Sequence, residues 1–208
     1  MTKLPQPPSV ATLAALGPEL VTIPASTSLW RIYFRGGRFP TAWNAFRSFG
    51  PLATSRFDHH EPPPSEQDRG ILYAAERGPT CVAEVFQETR TVDRIAQDPW
   101  LVAFATTRDL VLLDLRGAWI TRAGASAAIH SGRRDRARLW SRAIHSAFPS
   151  IDGLAFCSSM DGNRTAFALY ERARPAIPAH PTFHRALRDP GLLPSLLDAA
   201  REFGYVVV

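Results

Sequence analysis

The amino-acid sequence predicts an α+β fold. Short apolar runs typical of strands mix irregularly with helix-like segments, without a regular β–α–β rhythm or an internal repeat. Three of these stretches carry polar residues inside or beside them: Arg31, then Tyr73 and Glu84, then Ser158. Burying an arginine, a carboxylate or a hydroxyl costs free energy unless the group finds partners. We therefore expect these polar residues to share one pocket.

The first half of the chain begins with an extension over residues 1–28, which several prolines interrupt. Ser9 can cap a short helix, three consecutive prolines favour a loop at 62–64, and Pro79 suits the first turn of a helix. The predicted elements are, in order, a helix over 9–16, a strand over 29–34, a loop over 50–70, a strand over 71–75 and a helix from about residue 79, whose apolar face includes Cys81, Val82, Val85 and Phe86.

The second half is predicted to hold most of the regular structure. A polar turn at 107–109 separates two apolar runs and favours a hairpin. Gly204 is a typical helix end. The predicted elements are strands over 100–106 and 110–115, a long helix over 131–148, strands over 153–157 and 165–170, a helix over 192–203 and a last strand over 205–208.

Length and composition limit the class of protein. The chain has 208 residues, of which 45% are hydrophobic, so it suits one domain over 29–208 behind the extension. No run approaches the roughly 18 apolar residues of a membrane span, and the first ten residues lack a signal-peptide core. We expect a soluble, cytoplasmic protein without a membrane partner. Cys81 and Cys157 lie in apolar surroundings and are expected to be free thiols.

The formal net charge is +5, and Lys3 is the only lysine. Arginine binds phosphate and carboxylate with two parallel hydrogen bonds, which fits a nucleotide, an acidic protein or a nucleic acid. The densest basic run, over 133–138, lies in the predicted long helix. It is interpreted mainly as a solvated or partner-facing surface, with nucleic-acid binding as the alternative.

Two candidate residues lie close together along the chain. Glu84 is flanked by apolar residues, so it either points outward from an amphipathic helix or acts as a carboxylate in a partly dry site. Tyr73 ends the preceding strand, 11 residues earlier, and is either a core residue or part of the same cleft. A strand followed by a helix that packs on it can bring both side chains together.

Three further candidates have equally simple structural explanations. Alternation places Arg31 on the same strand face as Leu29 and Tyr33, and that face could be the solvent side. Arg56 could be a solvated loop arginine, and Ser158 a turn hydroxyl.

Several familiar sites are not supported. Ser158 has no nucleophile-elbow glycines around it, and no histidine is tied to it by spacing. The pair His59-His60 has no third ligand at metal-binding spacing, so no metal is expected. Dinucleotide and phosphate-loop glycine motifs are absent from the sequence.

Taken in order, these segments resemble the RES family, the toxin half of RES–Xre toxin–antitoxin pairs, named for its Arg, Glu and Ser. The resemblance runs over about residues 29–172, and the order and spacing of its pieces are more specific than any one of them. Ile32 and Phe156 stand where many members have tyrosine. The matching segments are Leu29–Ile32, Ser55–Phe57, Gly70–Ala75, Cys81–Val85, Asp152–Ser158 and Ala166–Tyr170.

The resemblance implies a split β-core like that of ADP-ribosyltransferases, with surrounding helices and a cleft that holds NAD⁺ as substrate. It implies cleavage of the nicotinamide–ribose bond by hydrolysis or phosphorolysis. The alternatives are ADP-ribose transfer to a protein, and a catalytically weak module that binds its antitoxin. The implied partner is an Xre-type antitoxin, through which the complex binds DNA and within which the toxin could form a homo-oligomer.

The resemblance also implies roles for the candidate residues. Glu84 would stabilise the oxocarbenium-like ribose, and Arg31 and Arg56 would pair with pyrophosphate or an incoming phosphate. Tyr73 would stack on nicotinamide, and Ser158 would bond the ribose or the amide of the base. On this assignment the catalytic residues are Glu84, Arg31 and Ser158, and the NAD⁺-binding residues are Arg31, Arg56, Tyr73 and Ser158.

Overall fold

The computed structural model describes residues 4–162 and 164–208 and has the expected mixture of strands and helices. The helices are α1 (Val10–Leu16), α2 (Gly78–Val85), α3 (Trp119–Arg122), α4 (Ala128–Ser131), α5 (Arg134–Ala147) and α6 (Leu193–Phe203). The strands are β1 (Leu20–Ile23), β2 (Ser28–Phe34), β3 (Arg47–Gly50), β4 (Ser65–Ala75), β5 (Thr91–Val92), β6 (Pro99–Ala105), β7 (Leu110–Asp114), β8 (Gly153–Cys157), β9 (Thr165–Tyr170), β10 (Phe183–Ala186) and β11 (Val206–Val207).

Most of these strands form one mixed sheet with the order β1-β7-β8-β9-β4-β2-β6-β10, in which β3 also pairs with β4. The pair β7 and β8 is parallel, and the other pairs of this sheet are antiparallel. A second small sheet joins β5 to β11 in parallel. Helices α5 and α6 pack on the sheet through the apolar clusters that contain Trp140 and Leu196. The α+β class is confirmed.

Local chemistry explains the helix ends that the sequence predicts. The Ser9 hydroxyl accepts the Thr12 N–H at 3.1 Å and caps α1. Pro79 lies in the first turn of α2, where it has no intrahelical N–H bond to lose. Gly204 ends α6 with φ of +68°, a backbone conformation that residues with a Cβ adopt at a cost.

Two expectations about the strands are wrong. The predicted hairpin of 100–106 with 110–115 does not form, because β6 lies between β2 and β10 whereas β7 lies between β1 and β8. The connecting backbone instead bonds elsewhere: Thr106 N–H to Thr27 and Thr107 N–H to Ala176. The predicted loop over 50–70 is also too long, since its last residues pair with β3 and extend β4 back to Ser65.

The N-terminal extension contributes to the sheet and to the core. Strand β1 pairs with β7, and Leu13 of α1 is fully buried in the same apolar cluster as Trp119 and Trp140. The Trp119 indole donates to Gly17 at 2.7 Å, and the Trp140 indole donates to Pro5 at 2.9 Å. This segment is therefore docked along its described length. Among the described residues, no helix is long and apolar enough to cross a membrane.

The sheet is split beside β4. Strand β3 pairs with β4 as far as Ile71, and β2 meets β4 at the register pair Trp30 and Ala75. Between these two points the same edge of β4 is not covered by either strand. Because β2 continues along β6 instead, a gap opens between β2 and β4. Residues of β2 and β4 on either side of this gap line a cavity.

Candidate functional site

A cavity of about 280 Å³ opens at the split in the sheet. Strands β2 and β4 form two of its walls, α2 forms a third, and the loop after β3 together with the start of α5 forms its rim. Four of the five candidate residues line it: Arg31, Arg56, Tyr73 and Glu84. The fifth, Ser158, is 1% exposed and reaches the cavity through its contact with Glu84. Four of the five candidate residues thus share one pocket, and Ser158 lies behind its wall.

Arg31 is the deepest cation of the cavity. Its Nε and Nη1 atoms are buried and have no hydrogen-bond partner among the described residues. Burial lowers the pKa of its guanidinium to about 10, against a smaller opposing effect of Cys81. The group stays charged at neutral pH, so it carries an unpaid desolvation cost that an anionic ligand would offset. The solvent-facing alternative for Arg31 does not hold.

Glu84 lies near the end of α2 and faces the cavity rather than bulk solvent. Its Oε1 atom accepts a 2.5 Å hydrogen bond from the Ser158 hydroxyl, and its Oε2 atom lies 3.5 Å from the Gln87 amide nitrogen. It forms no ion pair with any residue in the described part of the chain. The carboxylate is thus oriented by neutral donors while its charge stays available to a ligand.

Ser158 lies behind Glu84, just after β8. Its oxygen accepts the Met160 and Asp161 N–H groups, both at 3.1 Å. With its two lone pairs engaged in this way, its single O–H is directed to Glu84. The geometry makes Ser158 a partner of the carboxylate, and direct contact of its hydroxyl with ribose or nicotinamide stays a prediction.

Arg56 comes from the loop between β3 and β4 and lines the mouth of the cavity. Its Nη1 atom donates to Gly132 at 2.6 Å, a bond that ties the loop to the residues before α5. Burial lowers the pKa of Arg56, and the nearby charge of Arg134 lowers it further. Two guanidinium groups thus repel each other at the rim, which favours an anion between them.

Sequence reasoning missed four polar residues that line the cavity: Thr54, Gln87, His130 and Arg134. Arg134 belongs to the basic run interpreted as an outer surface, but as the first residue of α5 it turns toward the cavity. Its guanidinium pairs with Glu88 at 2.9 Å and lies 3.4 Å from the Gln87 side-chain oxygen. Hydrophobic periodicity could not locate these residues, because their position depends on how the loop after β3, the segment after α2, helix α4 and the start of α5 come together.

The floor of the cavity is largely apolar. Ile32, Phe156 and Ala166 line it beside Tyr73 and Cys81. Burial raises the pKa of the Tyr73 phenol, and burial raises the pKa of the Cys81 thiol to about 12. Both groups are therefore neutral at physiological pH. An aromatic ring on an apolar floor beside a cation suits a flat heteroaromatic ligand group.

A second polar region lies under the same loop, and we call it the loop network: Arg47, Asp58, His59, His60, His145 and Glu171. Asp58 accepts from Arg47 at 2.8 Å, from the Leu52 N–H at 2.7 Å and from His60 at 2.5 Å. Glu171 accepts from His59 at 3.0 Å, from His145 at 2.8 Å and from the Gly70 N–H at 3.0 Å.

The fold brings His145 and Glu171 to His59, a grouping that spacing along the sequence does not reveal. The reason is that α5 and the turn after β9 supply them from distant parts of the chain. The arrangement fits hydrogen bonding better than a metal ion. The Nε2 atoms of His59 and His145 each bond one oxygen of the Glu171 carboxylate, at 3.0 Å and 2.8 Å, and the centroids of the two stacked rings are 4.4 Å apart. The Arg172 guanidinium also lies 3.5 Å from His145 Nδ1.

Comparison with known proteins agrees with this architecture. The family model described as the RES domain matches residues 28–190. A chain of the crystal structure of the M. tuberculosis MbcT-MbcA toxin-antitoxin complex is similar in fold, with a TM-score of 0.58 and 16% sequence identity over 93% of this chain and 95% of that one. The search of curated proteins found no match. Since the family match spans most of the chain, this protein belongs to the RES domain family.

Proposed function

We propose that this protein is the toxin of a toxin–antitoxin pair and cleaves the nicotinamide–ribose bond of NAD⁺, with water or phosphate as acceptor. One observation carries the proposal: the Arg31 guanidinium, with two buried nitrogens that lack partners, and the oriented Glu84 carboxylate line one cavity without pairing with each other. Such a site suits a ligand that carries negative charge at one point and develops positive charge at another. NAD⁺ undergoing loss of nicotinamide is such a ligand.

The bond cleavage assigns a task to each charge. The bond between C1′ of the ribose and the ring nitrogen breaks, and its electron pair leaves with nicotinamide. Positive charge then develops on the ribose, and Glu84 stabilises it while accepting a hydrogen bond from a ribose hydroxyl. An oxygen of water or phosphate forms the new bond to C1′, and the acceptor releases its proton to solvent.

The arginines account for the phosphates. Arg31 at the bottom of the cavity and Arg56 with Arg134 at its rim offer guanidinium groups along one path. Guanidinium binds phosphoryl oxygens with paired hydrogen bonds. A cavity of about 280 Å³ is at the small end of ligand sites, so the nicotinamide ribose would lie inside and the adenosine half across the rim.

The apolar floor supports the same orientation of the substrate. Tyr73 offers a ring on which nicotinamide can stack, and Ile32 and Phe156 exclude water from the reacting carbon without adding hydroxyl groups. The neutral thiol of Cys81 would not compete as a nucleophile, because burial raises its pKa to about 12.

The proposed partner is an antitoxin, of the Xre type that the family resemblance implies, which would connect the complex to DNA. The similar fold found in the MbcT-MbcA toxin-antitoxin complex supports an antitoxin as the class of partner. The antitoxin would hold the toxin inactive until it is removed.

The test is release of free nicotinamide by the purified chain. The protein is incubated with NAD⁺ with and without inorganic phosphate, and products are separated by chromatography. Nicotinamide together with ADP-ribose indicates hydrolysis, and a phosphorylated ADP-ribose formed with added phosphate indicates phosphorolysis. A labelled protein band from radioactive NAD⁺ would indicate ADP-ribose transfer instead. Intact NAD⁺ in antitoxin-free protein would contradict the proposal and favour an antitoxin-binding module without turnover.

A further inference from the structure

The contact between Ser158 and Glu84 depends on a tight turn that follows β8. Ser158 N–H donates to the Arg164 carbonyl at 2.7 Å, and Arg164 N–H donates to the Asp161 carbonyl at 2.7 Å. The Ser158 oxygen in turn accepts the Met160 and Asp161 N–H groups. The direction of the Ser158 O–H is therefore set by its bonds to Met160 and Asp161. For the Ser158 hydroxyl to reach Glu84, this turn has to stay packed against α2, the helix that carries Glu84.

The side chain of Asp161 makes that connection. Its Oδ2 atom accepts a 2.5 Å hydrogen bond from the Thr80 hydroxyl and lies 3.6 Å from Arg77 Nη1. Thr80 is fully buried and Asp161 is 4% exposed, so water does not compete for this bond. A carboxylate near the first turn of α2 is also favoured by the partial positive charge of that end of the helix.

Thr80 and Glu84 are four residues apart on α2, so their side chains lie one turn apart on the same side of the helix. Asp161 and Ser158 are three residues apart on the turn and share the Asp161 N–H bond. Two hydrogen bonds therefore join helix and turn, one from Thr80 to Asp161 and one from Ser158 to Glu84. The first is buried and outside the cavity, and the second ends on the carboxylate that faces it.

We propose that Thr80 and Asp161 are positioning residues for the reaction: their hydrogen bond holds the turn so that the Ser158 hydroxyl fixes the orientation of the Glu84 carboxylate. This inference rests on the proposed function for its catalytic meaning. Neither residue lines the cavity, so neither contacts the substrate directly. A misplacement of about 1 Å in a reacting group can cost on the order of 100-fold in rate. Loss of the Thr80 bond should therefore lower kcat and leave NAD⁺ binding nearly unchanged.

The kinetic test uses substitutions that keep shape. Thr80→Val removes the hydroxyl, Asp161→Asn weakens the acceptor, and Thr80→Ser retains the hydroxyl. We expect the first two to lower kcat about 10- to 100-fold with little change in KM, and Thr80→Ser to restore most of the rate. Thr22→Val, at an exposed threonine of β1 that does not line the cavity, is the matched control. A Thr80→Ser variant as slow as Thr80→Val would overturn the inference.

A double variant separates positioning from general stability. If Thr80 acts through Ser158, then adding Thr80→Val to Ser158→Ala should change kcat less than about twofold, because the shared effect is already lost. If the loss of kcat in the double variant equals the product of the two single losses, Thr80 affects the rate independently of Ser158. Assays are run well below the unfolding temperature of each variant, so that unfolded protein does not lower the measured rate. If Thr80→Val does not fold, Asp161→Asn takes its place in the double variant.

A spectroscopic readout tests the same positioning without turnover. In protein carrying ¹³C-labelled glutamate carboxyl groups, Glu84 is assigned by the resonance lost in Glu84→Gln. Thr80→Val and Ser158→Ala should move that resonance in the same direction, whereas Thr22→Val should leave it in place. An unmoved resonance in Thr80→Val would refute the positioning role. Absent NAD⁺ cleavage with a moved resonance would refute only the proposed function.

Discussion

The cavity and the loop network both contain buried charged groups, but these groups differ in how many hydrogen-bond partners they have within the protein. In the loop network each carboxylate is surrounded by donors: Asp58 by Arg47, His60 and a backbone N–H, and Glu171 by His59 and His145. In the cavity the Arg31 guanidinium has two buried nitrogen atoms without partners. Removing one partner of a buried, paired charge is destabilising, whereas a buried charge without partners favours an anionic ligand.

The two regions are also connected through one loop of the chain. The loop that holds Asp58 and His60 in the loop network presents Arg56 to the cavity two residues earlier. Phe57, which lies between them, is fully buried and packs on Phe156, and Phe156 also lines the cavity floor. The loop network therefore anchors a loop whose neighbouring residue, Arg56, lines the cavity. The following predictions test this division between anchoring and function.

The largest expected effect is on turnover, from Glu84→Gln. The substitution keeps the shape of the side chain but removes the negative charge that stabilises the developing ribose cation, so NAD⁺ cleavage should fall by roughly 100- to 1000-fold. Nicotinamide release under saturating NAD⁺ measures it, with Glu66→Gln as a control at an exposed glutamate of β4. Full turnover by Glu84→Gln would remove Glu84 from the mechanism, and a normal urea-unfolding midpoint would show that the variant folds.

Asp58→Asn should produce the reverse pattern, a large loss of stability. The buried carboxylate holds Arg47, His60 and the Leu52 N–H together. Burial by itself would raise the pKa of Asp58, but these donors outweigh it and hold the pKa well below its usual range. Removing the charge should lower the free energy of unfolding by about 3 kcal/mol, measured by urea denaturation at pH 7. An unchanged midpoint would show that the loop network does not anchor the fold.

Arg31→Met should separate binding from stability. The variant loses a charge-assisted contact with the phosphates, so NAD⁺ affinity should fall by roughly 1.5–3 kcal/mol. Because Arg31 has unpartnered buried nitrogens, the ligand-free protein should become no less stable, and a small gain is expected. Calorimetric titration in a Glu84→Gln background avoids turnover, and a urea series gives the stability. A strongly destabilised Arg31→Met protein would contradict the comparison of the two regions.

The smallest expected effect is a pH dependence from His59. Burial lowers the pKa of this imidazole from 6.5 to about 4 in the folded protein, against the opposing hydrogen bond to Glu171. The unfolded chain therefore binds a proton at higher pH than the native state, and stability falls as pH drops below about 6.5. Between pH 7.5 and pH 5 we expect a loss of about 1–2 kcal/mol.

Urea denaturation at several pH values measures this slope, and His59→Gln should flatten it between pH 6.5 and 5. Glu171 adds to the acid sensitivity only at lower pH, since its hydrogen bonds to the two histidines hold the pKa of its carboxyl below the usual range. An equal slope in His59→Gln would assign the titration to another group.

Sequence patterns predicted what depends on local chemistry. The strand at 29–34, the helix after Pro79 and the end of α6 at Gly204 were predicted within one or two residues, because apolar alternation, proline geometry and glycine freedom act over a few neighbours. The hairpin of 100–106 with 110–115 failed because a turn-like sequence does not reveal which strand will outcompete its neighbour for pairing.

The sequence by itself determined the α+β class, the segments of the RES resemblance and the polar residue types that interrupt apolar runs. Tertiary structure alone decided that β2 and β4 separate, that Arg134 turns to the cavity rim, and that His145 and Glu171 reach His59. The reason is physical: propensity and periodicity act between residues a few positions apart, whereas these contacts join segments tens of residues apart, and their geometry is set by how the sheet and helices pack.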